Sequence, residues 1–276
     1  MKYVFSFFLL TIALFAGVVK TPTLSVNNAA NTATIKINTI DVGVSGFIVH
    51  RFSENNSVIV KEVVVISYNE ETNIAKLEMQ DYTDMQQNAL PVLETEVEVG
   101  DIVILAFGYT RAILIAPNEE IYYRITKATS KIQWLHPDLF ATVLAYNSHP
   151  TPLKEDFISM SNITSAGLVF IYINQKLFTV DAKSLVILNT TDAPLTQTQT
   201  KLPFYMRIEG LESNWYSFGE GTGELQAYEP YYCRLLTDNN PTNKEIEKIC
   251  SMKAKHINKG ESTWSIKNIS NTLFRW

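Results

Sequence analysis

The sequence predicts a mixed α/β (α+β) fold: an N-terminal small β-barrel or sandwich, then a small α/β layer domain, then a C-terminal helical tail. Short runs rich in Val, Ile and aromatic residues, separated by Asn, Gly and Glu, come first and are typical of small β-domains. Helical spacing then alternates with strand-like runs, which is typical of a layered α/β domain. We therefore place a barrel-like domain at 22–117, an α/β domain at 118–214 and a loop-rich tail with one helix at 215–276.

The N-terminus has the pattern of a secretory signal peptide. Lys2 supplies the positive charge, residues 3–15 form an apolar run, and Ala16 and Gly17 are small. The run is shorter than the roughly 20 residues that a spanning helix needs. We expect residues 1–16 to be a signal peptide removed on export, and retention of the run as an uncleaved anchor is the open alternative. No later stretch is apolar enough to cross a bilayer, so we expect an exported protein of the periplasm or the outer cell surface.

The first domain is predicted to be built from short strands bounded by turn-forming residues. A polar segment at 22–33 precedes them and is predicted to be a linker or an edge segment. The apolar runs predict strands at 35–40, 47–52, 58–67, 75–79, 102–107 and 112–116. Several strands at this spacing favour a small barrel or sandwich.

Helices and strands alternate in the second domain. Asn118 is a candidate N-cap, because two glutamates occupy the first helical turn after it. Pro137 is suited to begin a second helix, and a third is predicted at 152–161. The remaining apolar runs predict strands at 132–135, 168–173, 176–180 and 185–188, and the middle two form a hairpin across Asn174 and Gln175.

The tail contains one helical pattern. Ile246, Ile249, Cys250 and Ile257 share a face, with Asn243 as the candidate cap. Residues 244–276 carry seven Lys or Arg against three Asp or Glu, so this stretch has a charge of +4 and the rest of the chain −9. A body this acidic excludes a nucleic-acid binder, because no cluster of cations is available for phosphates.

No pattern in the sequence indicates an enzyme, a cofactor site or a metal site. The four histidines are scattered, with no pair at metal-ligand spacing. The alternating glycines at 219, 221 and 223 neither follow a strand nor open a helix, so they do not form a phosphate-binding loop. We therefore predict no catalytic, cofactor-binding or metal-binding residues.

Cys233 and Cys250 are the only cysteines of the chain. An even count in an exported protein favours a disulfide between them, and two free thiols or a pairing with another chain are the alternatives. A bridge that closes this loop would contribute about 3 kcal/mol in the chain-entropy model.

Two groups of residues are candidates for contact with a partner. Trp215 and Tyr231 belong to an aromatic cluster that suits an exposed contact surface, although such residues also commonly fold back to cover a domain. Lys248, Lys255 and Lys259 lie on the polar side of the predicted tail helix, where they meet an acidic partner, membrane headgroups or solvent alone.

Several segments in a matching order resemble one family, the N-terminal domain of the plasminogen-binding surface proteins of gastric and enteric spiral bacteria. The resemblance covers about residues 40–232. It rests on the segments 41–49 (DVGVSGFIV), 114–120 (LIAPNEE), 136–140 (HPDLF), 167–172 (GLVFIY) and 202–208 (LPFYMRI).

The resemblance implies an exported, non-enzymatic protein that captures host plasminogen through lysine recognition, in which a kringle pocket holds an ammonium, its aliphatic stem and a carboxylate. The sequence ends in Trp276, so we expect an internal lysine with a carboxylate one helical turn away to serve, and Glu245 with Lys248 has that spacing. The alternative is a structural scaffold of the periplasm or envelope, for example a flagellar motor accessory component, whose partners are other envelope proteins.

Overall fold

A closed barrel forms the first half of the computed structural model, which describes residues 18–82, 95–195, 199–208 and 221–251. Its six strands pair in the order β1-β2-β5-β4-β3-β6, and every pairing is antiparallel. They are β1 Val19–Asn27, β2 Thr32–Lys36, β3 Ser45–Arg51, β4 Ser57–Asn69, β5 Ile74–Asp81 and β6 Ile102–Leu105. The predicted barrel is therefore confirmed.

The first strand of the barrel corrects one prediction. The first half of the 22–33 segment, predicted to be a linker or an edge segment, belongs to β1, which pairs with β2 on one side and β6 on the other. Its polarity misleads because a barrel strand needs suitable residues only at its inward positions. Thr23 is buried there, and its hydroxyl donates to the carbonyl oxygen of Glu98 at 2.8 Å.

A five-stranded sheet forms the second half, in the order β11-β10-β9-β7-β8. The interior strand β7, between β9 and the edge strand β8, runs parallel to both of its neighbours. The prediction that the 112–116 run belongs to the barrel is wrong, because this run is β7. A central parallel strand is covered on both faces and therefore reads as a continuous apolar run. The strands are β7 Arg111–Ile115, β8 Gln133–Leu135, β9 Leu168–Ile173, β10 Lys176–Asp181 and β11 Ile187–Asp192.

The first three helices follow their predicted signals. The Asn118 side chain accepts a hydrogen bond from the backbone N–H of Ile121 at 2.9 Å, as an N-cap does. Pro137 is the first residue of the second helix. The predicted hairpin is also present, and Asn174 and Gln175 in its turn both have positive φ, as a tight two-residue hairpin requires. The three helices are α1 Glu119–Ala128, α2 Pro137–Asn147 and α3 Lys154–Thr164.

Residues 221–251 contain two helices, α4 Tyr228–Asn239 and α5 Lys244–Ser251, where the sequence analysis predicts one within 215–276. The signal for α4 is the spacing of Tyr228, Tyr232 and Leu236, all of which are buried.

Each face of the second sheet carries its own hydrophobic core. One core joins the barrel interior to α1 and to Leu114, Phe170 and Tyr172 of the sheet. The other lies between the opposite face and the helices α2, α3, α4 and α5. Gly43 lies where barrel and sheet meet, has φ +97° and leaves no room for a side chain, since an added Cβ would lie 2.4 Å from Val186. The sheet is therefore the middle layer between the barrel with α1 on one side and four helices on the other.

Candidate partner-binding surfaces

Helix α5 is the described part of the helix that the sequence predicts for the tail, and it contains Lys248 of the three predicted lysines. The predicted cap is confirmed, because the Asn243 side-chain oxygen accepts from the backbone N–H groups of Glu245 at 3.0 Å and Ile246 at 3.4 Å. Ile246 and Ile249 are buried against the second core. One side of this short amphipathic helix is thus fixed to the body of the protein, and the opposite side faces solvent.

Two further links hold α5 in place. The predicted disulfide between Cys233 and Cys250 is present and joins α4 to the end of α5, with 5.7 Å between the two Cα atoms. The Asn174 side-chain amide, in the hairpin turn, donates to the carbonyl oxygen of Ile249 at 3.1 Å. Because isolated helices of this length are marginal in water, these tertiary links are what maintain α5 as a helix.

The exposed side of α5 carries charges of both signs. Glu245 and Lys248 are both exposed and lie three residues apart, which puts their side chains on neighbouring positions of one face. Lys244 and Glu247 are exposed beside them. Within the part of the chain that the structure describes, no ion pair links Glu245 to Lys248.

The predicted aromatic patch is not a free surface in the described part of the chain. Tyr231 is half-buried: its hydroxyl donates to the carbonyl oxygen of Pro152, and its ring lies 5.2 Å from that of Tyr232. The guanidinium of Arg234 lies 5.9 Å from the centre of the Tyr231 ring. Trp215, Lys255 and Lys259 lie outside the described residues.

The other two tyrosines of α4 anchor the helix on the sheet. The Tyr228 hydroxyl donates to the carbonyl oxygens of Ile115 and Tyr172, both at 3.0 Å, and the Tyr232 hydroxyl donates to that of Pro203 at 2.9 Å. Burial raises the pKa of both phenols well above their ordinary value. Both tyrosines are packed and hydrogen-bonded, which agrees with the alternative in the sequence analysis that these aromatic residues fold back to cover a domain.

A buried carboxylate lies between the barrel and the second sheet. Asp181, fully buried at the end of β10, accepts from the Ser45 backbone N–H at 3.0 Å, the Ser45 hydroxyl at 2.7 Å and the Tyr109 hydroxyl at 2.6 Å through one oxygen. Its other oxygen accepts from the backbone N–H groups of Lys183 at 3.0 Å and Ser184 at 2.8 Å. Burial, together with this carboxylate, raises the pKa of Tyr109 well above its ordinary value. Five donors thus bind the two oxygens of Asp181, and this carboxylate has a structural role in joining the barrel to the second sheet.

One surface of the barrel was missed in the sequence analysis. A groove of about 360 Å³ lies on its outer face across β1, β6, β3 and β4. We call its six apolar lining residues the apolar wall: Phe47, Val49, Val58, Ile59, Ile102 and Ile104. The signal in the sequence is the unbroken apolar character of β6 and of residues 47–49 in β3, since an antiparallel strand with one solvated face normally alternates.

Two other kinds of site were sought in residues 18–82, 95–195, 199–208 and 221–251. No group of three His, Cys, Asp or Glu residues in these ranges is placed to hold a metal ion. No helix in them has the length and apolar character needed to cross a bilayer.

Comparison with known proteins gives one family and two curated relatives. The family model described as the plasminogen-binding protein pgbA N-terminal region matches residues 18–236. The chain is 27% identical over 209 residues to plasminogen-binding protein PgbA of one Helicobacter pylori strain, a match that covers 75% of this chain and 45% of the relative. It is 27% identical over 198 residues to PgbA of a second strain, covering 71% and 42%. The chain thus spans less than half the length of these relatives, and no solved structure matches it significantly.

Proposed function

This chain belongs to the family of the N-terminal region of plasminogen-binding protein PgbA, and from that membership we propose that it is an exported, non-enzymatic binding protein that captures host plasminogen at the cell surface. The proposed contact is the exposed side of α5, with Lys248 as the inserted lysine and Glu245 as its companion carboxylate. The basic stretch that follows α5 in the sequence supplements this contact by long-range attraction.

The observation that supports the proposal best is the fixed presentation of Glu245 and Lys248. A pocket that accepts a free lysine needs an ammonium on an aliphatic stem and a carboxylate nearby. Both groups are exposed on one turn of α5, and the disulfide and the buried Ile246 hold that turn in a single orientation. Preorganisation of this kind favours binding because less conformational entropy is lost on association.

Export is supported by the same region. A disulfide persists in oxidising compartments and is rare where thiols are kept reduced. The bridge between Cys233 and Cys250 therefore fits a periplasmic or cell-surface location, to which the N-terminal apolar run would direct the chain.

The test measures binding of the purified chain to immobilised plasminogen by surface plasmon resonance, with and without a free lysine analogue. We expect the analogue to compete. We also expect Lys248→Ala to raise the Kd about thirtyfold or more, since loss of one partner from an enclosed charge pair has an effect of about 2 kcal/mol or more. The matched control is Lys127→Ala, an exposed helical lysine whose neighbour three residues earlier is Arg124.

The outcomes separate the candidate functions. Equal effects of Lys248→Ala and Lys127→Ala would contradict the proposed contact. If a chain truncated after Ser251 lost all binding, the contact would be assigned to the basic stretch that follows α5. If intact protein did not bind plasminogen at all, the scaffold alternative would replace capture as the proposed function. Protection of the protein from protease in whole cells would support that alternative.

A further inference from the structure

The outer face of the barrel is apolar on one side only. In the strand register, Lys20 of β1 lies beside Ile104 of β6, which lies beside Phe47 of β3. In the next row, Ile102 lies beside Val49, which lies beside Ile59. The far side of the barrel differs, because the exposed positions of β2 and β5 are polar or charged: Lys36, Lys76, Glu78 and Gln80. The apolar wall is therefore a local feature of the barrel surface.

Aromatic residues and cations surround the apolar wall. Phe107 and Phe52, just beyond the ends of β6 and β3, are 48% and 54% exposed. Lys20 and Arg51 line the groove and are exposed. Lys20 shares a row across the strands with Phe47, and Arg51 lies four residues further along β3. The two cations therefore occupy opposite corners of the groove.

Two carboxylates near the apolar wall are paired. Glu62, which lies beside Phe47 on β4, accepts from the ammonium of Lys183 at 2.6 Å and is mostly buried. Asp101, which precedes β6, is 2.8 Å from the ring nitrogen of His50. The charged residues that line the groove are Lys20 and Arg51, so its lining is positive although the whole chain has a net charge of −5.

The chain order relates this surface to a membrane. The apolar run at 3–15 ends five residues before Lys20, a span of at most about 18 Å when extended. While the run is in a bilayer, during export or as an anchor, this short connection keeps the side of the barrel that contains Lys20 close to the lipid headgroups.

We propose that the apolar wall docks on an anionic lipid surface, with Lys20 and Arg51 contacting headgroups and with Phe52 and Phe107 inserted at the interface. Exposed aromatic residues flanked by cations are the usual composition of an interfacial contact. Each cation near an anionic surface strengthens association about fivefold, and salt weakens it. The positive lining of the groove is the reason to assign the surface to anionic lipid rather than to a second protein. In a chain that kept the apolar run as an anchor, the short connection would also hold this surface near the headgroups.

The test uses the processed chain from Gly17 onward, which retains every described contact, so that the apolar run cannot itself insert. Binding is measured by flotation with vesicles of phosphatidylcholine alone or mixed with phosphatidylglycerol. We expect binding to the mixed vesicles only, with release by salt. Lys20→Glu should weaken it about twentyfold, since two units of charge change. Phe107→Ser should weaken it by the same factor at every salt concentration at which the parent chain still binds.

Controls on the far side make the result specific. Lys76→Glu makes the same charge change on β5, and Tyr146→Ser removes an aromatic residue that is 88% exposed on α2. Both should bind like the parent chain. The proposal is wrong if anionic vesicles are not bound, if Lys76→Glu is as damaging as Lys20→Glu, or if truncation after Ser251 abolishes binding that Lys20→Glu leaves intact. The last result would assign lipid binding to the basic stretch of the tail.

Discussion

Replacing Asp181 by asparagine should destabilise the junction between the barrel and the second sheet. The substitution preserves the shape of the side chain but turns one acceptor oxygen into an NH2 group. Three donors face one oxygen, two from Ser45 and one from Tyr109, and two backbone N–H groups face the other. Whichever way the amide lies, its NH2 group faces at least one backbone N–H that loses its acceptor: that of Ser45 on one side, or those of Lys183 and Ser184 on the other. The two hydroxyls can turn to accept from the NH2 group.

The size of the effect follows from burial. Asp181 is fully buried, so water cannot replace the lost acceptor. A hydrogen bond to a charged group contributes about 1.5–3 kcal/mol, and a buried donor without an acceptor costs about 1–3 kcal/mol. We expect a loss of about 3–5 kcal/mol in the free energy of unfolding, a large part of the roughly 5–15 kcal/mol that folded proteins have.

The assay is urea unfolding followed by tryptophan fluorescence and by far-ultraviolet circular dichroism. The matched control is Asp192→Asn, which removes an exposed carboxylate paired with Lys176 and should cost less than about 1 kcal/mol. Because Asp181 links β10 to β3, the unfolding transitions followed by the two probes should separate in Asp181→Asn and coincide in the control. A loss no larger than that of Asp192→Asn would refute the reasoning.

Three further predictions concern the disulfide, one histidine and the N-terminus. Denatured, unreduced protein should contain no reactive thiol, and replacing Cys233 and Cys250 together by serine should lower stability by about 3 kcal/mol in urea unfolding. Burial lowers the pKa of His136 from 6.5, so the folded chain binds fewer protons than the unfolded chain below that pH. Stability should therefore fall as pH drops from about 6.5 towards the lowered pKa, and His136→Asn should flatten that part of a pH titration of unfolding. N-terminal sequencing of protein from the envelope should begin at or near Gly17, whereas Met1 would indicate a retained anchor.

Local signals in the sequence were sufficient for the elements that depend on neighbouring residues. Asn118 caps α1 because its side chain needs only the N–H groups of the next turn. The hairpin at Asn174 and Gln175 closes because both residues adopt positive φ there. The disulfide was predictable from the count of cysteines and the expected compartment.

Features that depend on distant residues were not predictable in this way. The 112–116 run has the same apolar character as a barrel strand, and only its parallel pairing with β8 and β9 places it in the second sheet. From its neighbours in the sequence Thr23 is predicted to be a linker residue. Its hydrogen-bond acceptor in the barrel is the carbonyl oxygen of Glu98, which lies 75 positions later. The apolar wall likewise requires the register of β1, β6 and β3, since no single strand contains it.

The candidate binding face depends on tertiary structure in the same way. Helix α5 has 8 residues, fewer than the roughly 12–15 at which an isolated helix becomes even marginally stable. Its helical form therefore depends on the disulfide, on buried Ile246 and on the hydrogen bond from Asn174. Glu245 and Lys248 share one face only while these contacts hold. A short peptide with the α5 sequence would carry the same charges without the helical arrangement that puts them on one face. The proposed recognition through this face therefore requires the folded, oxidised protein.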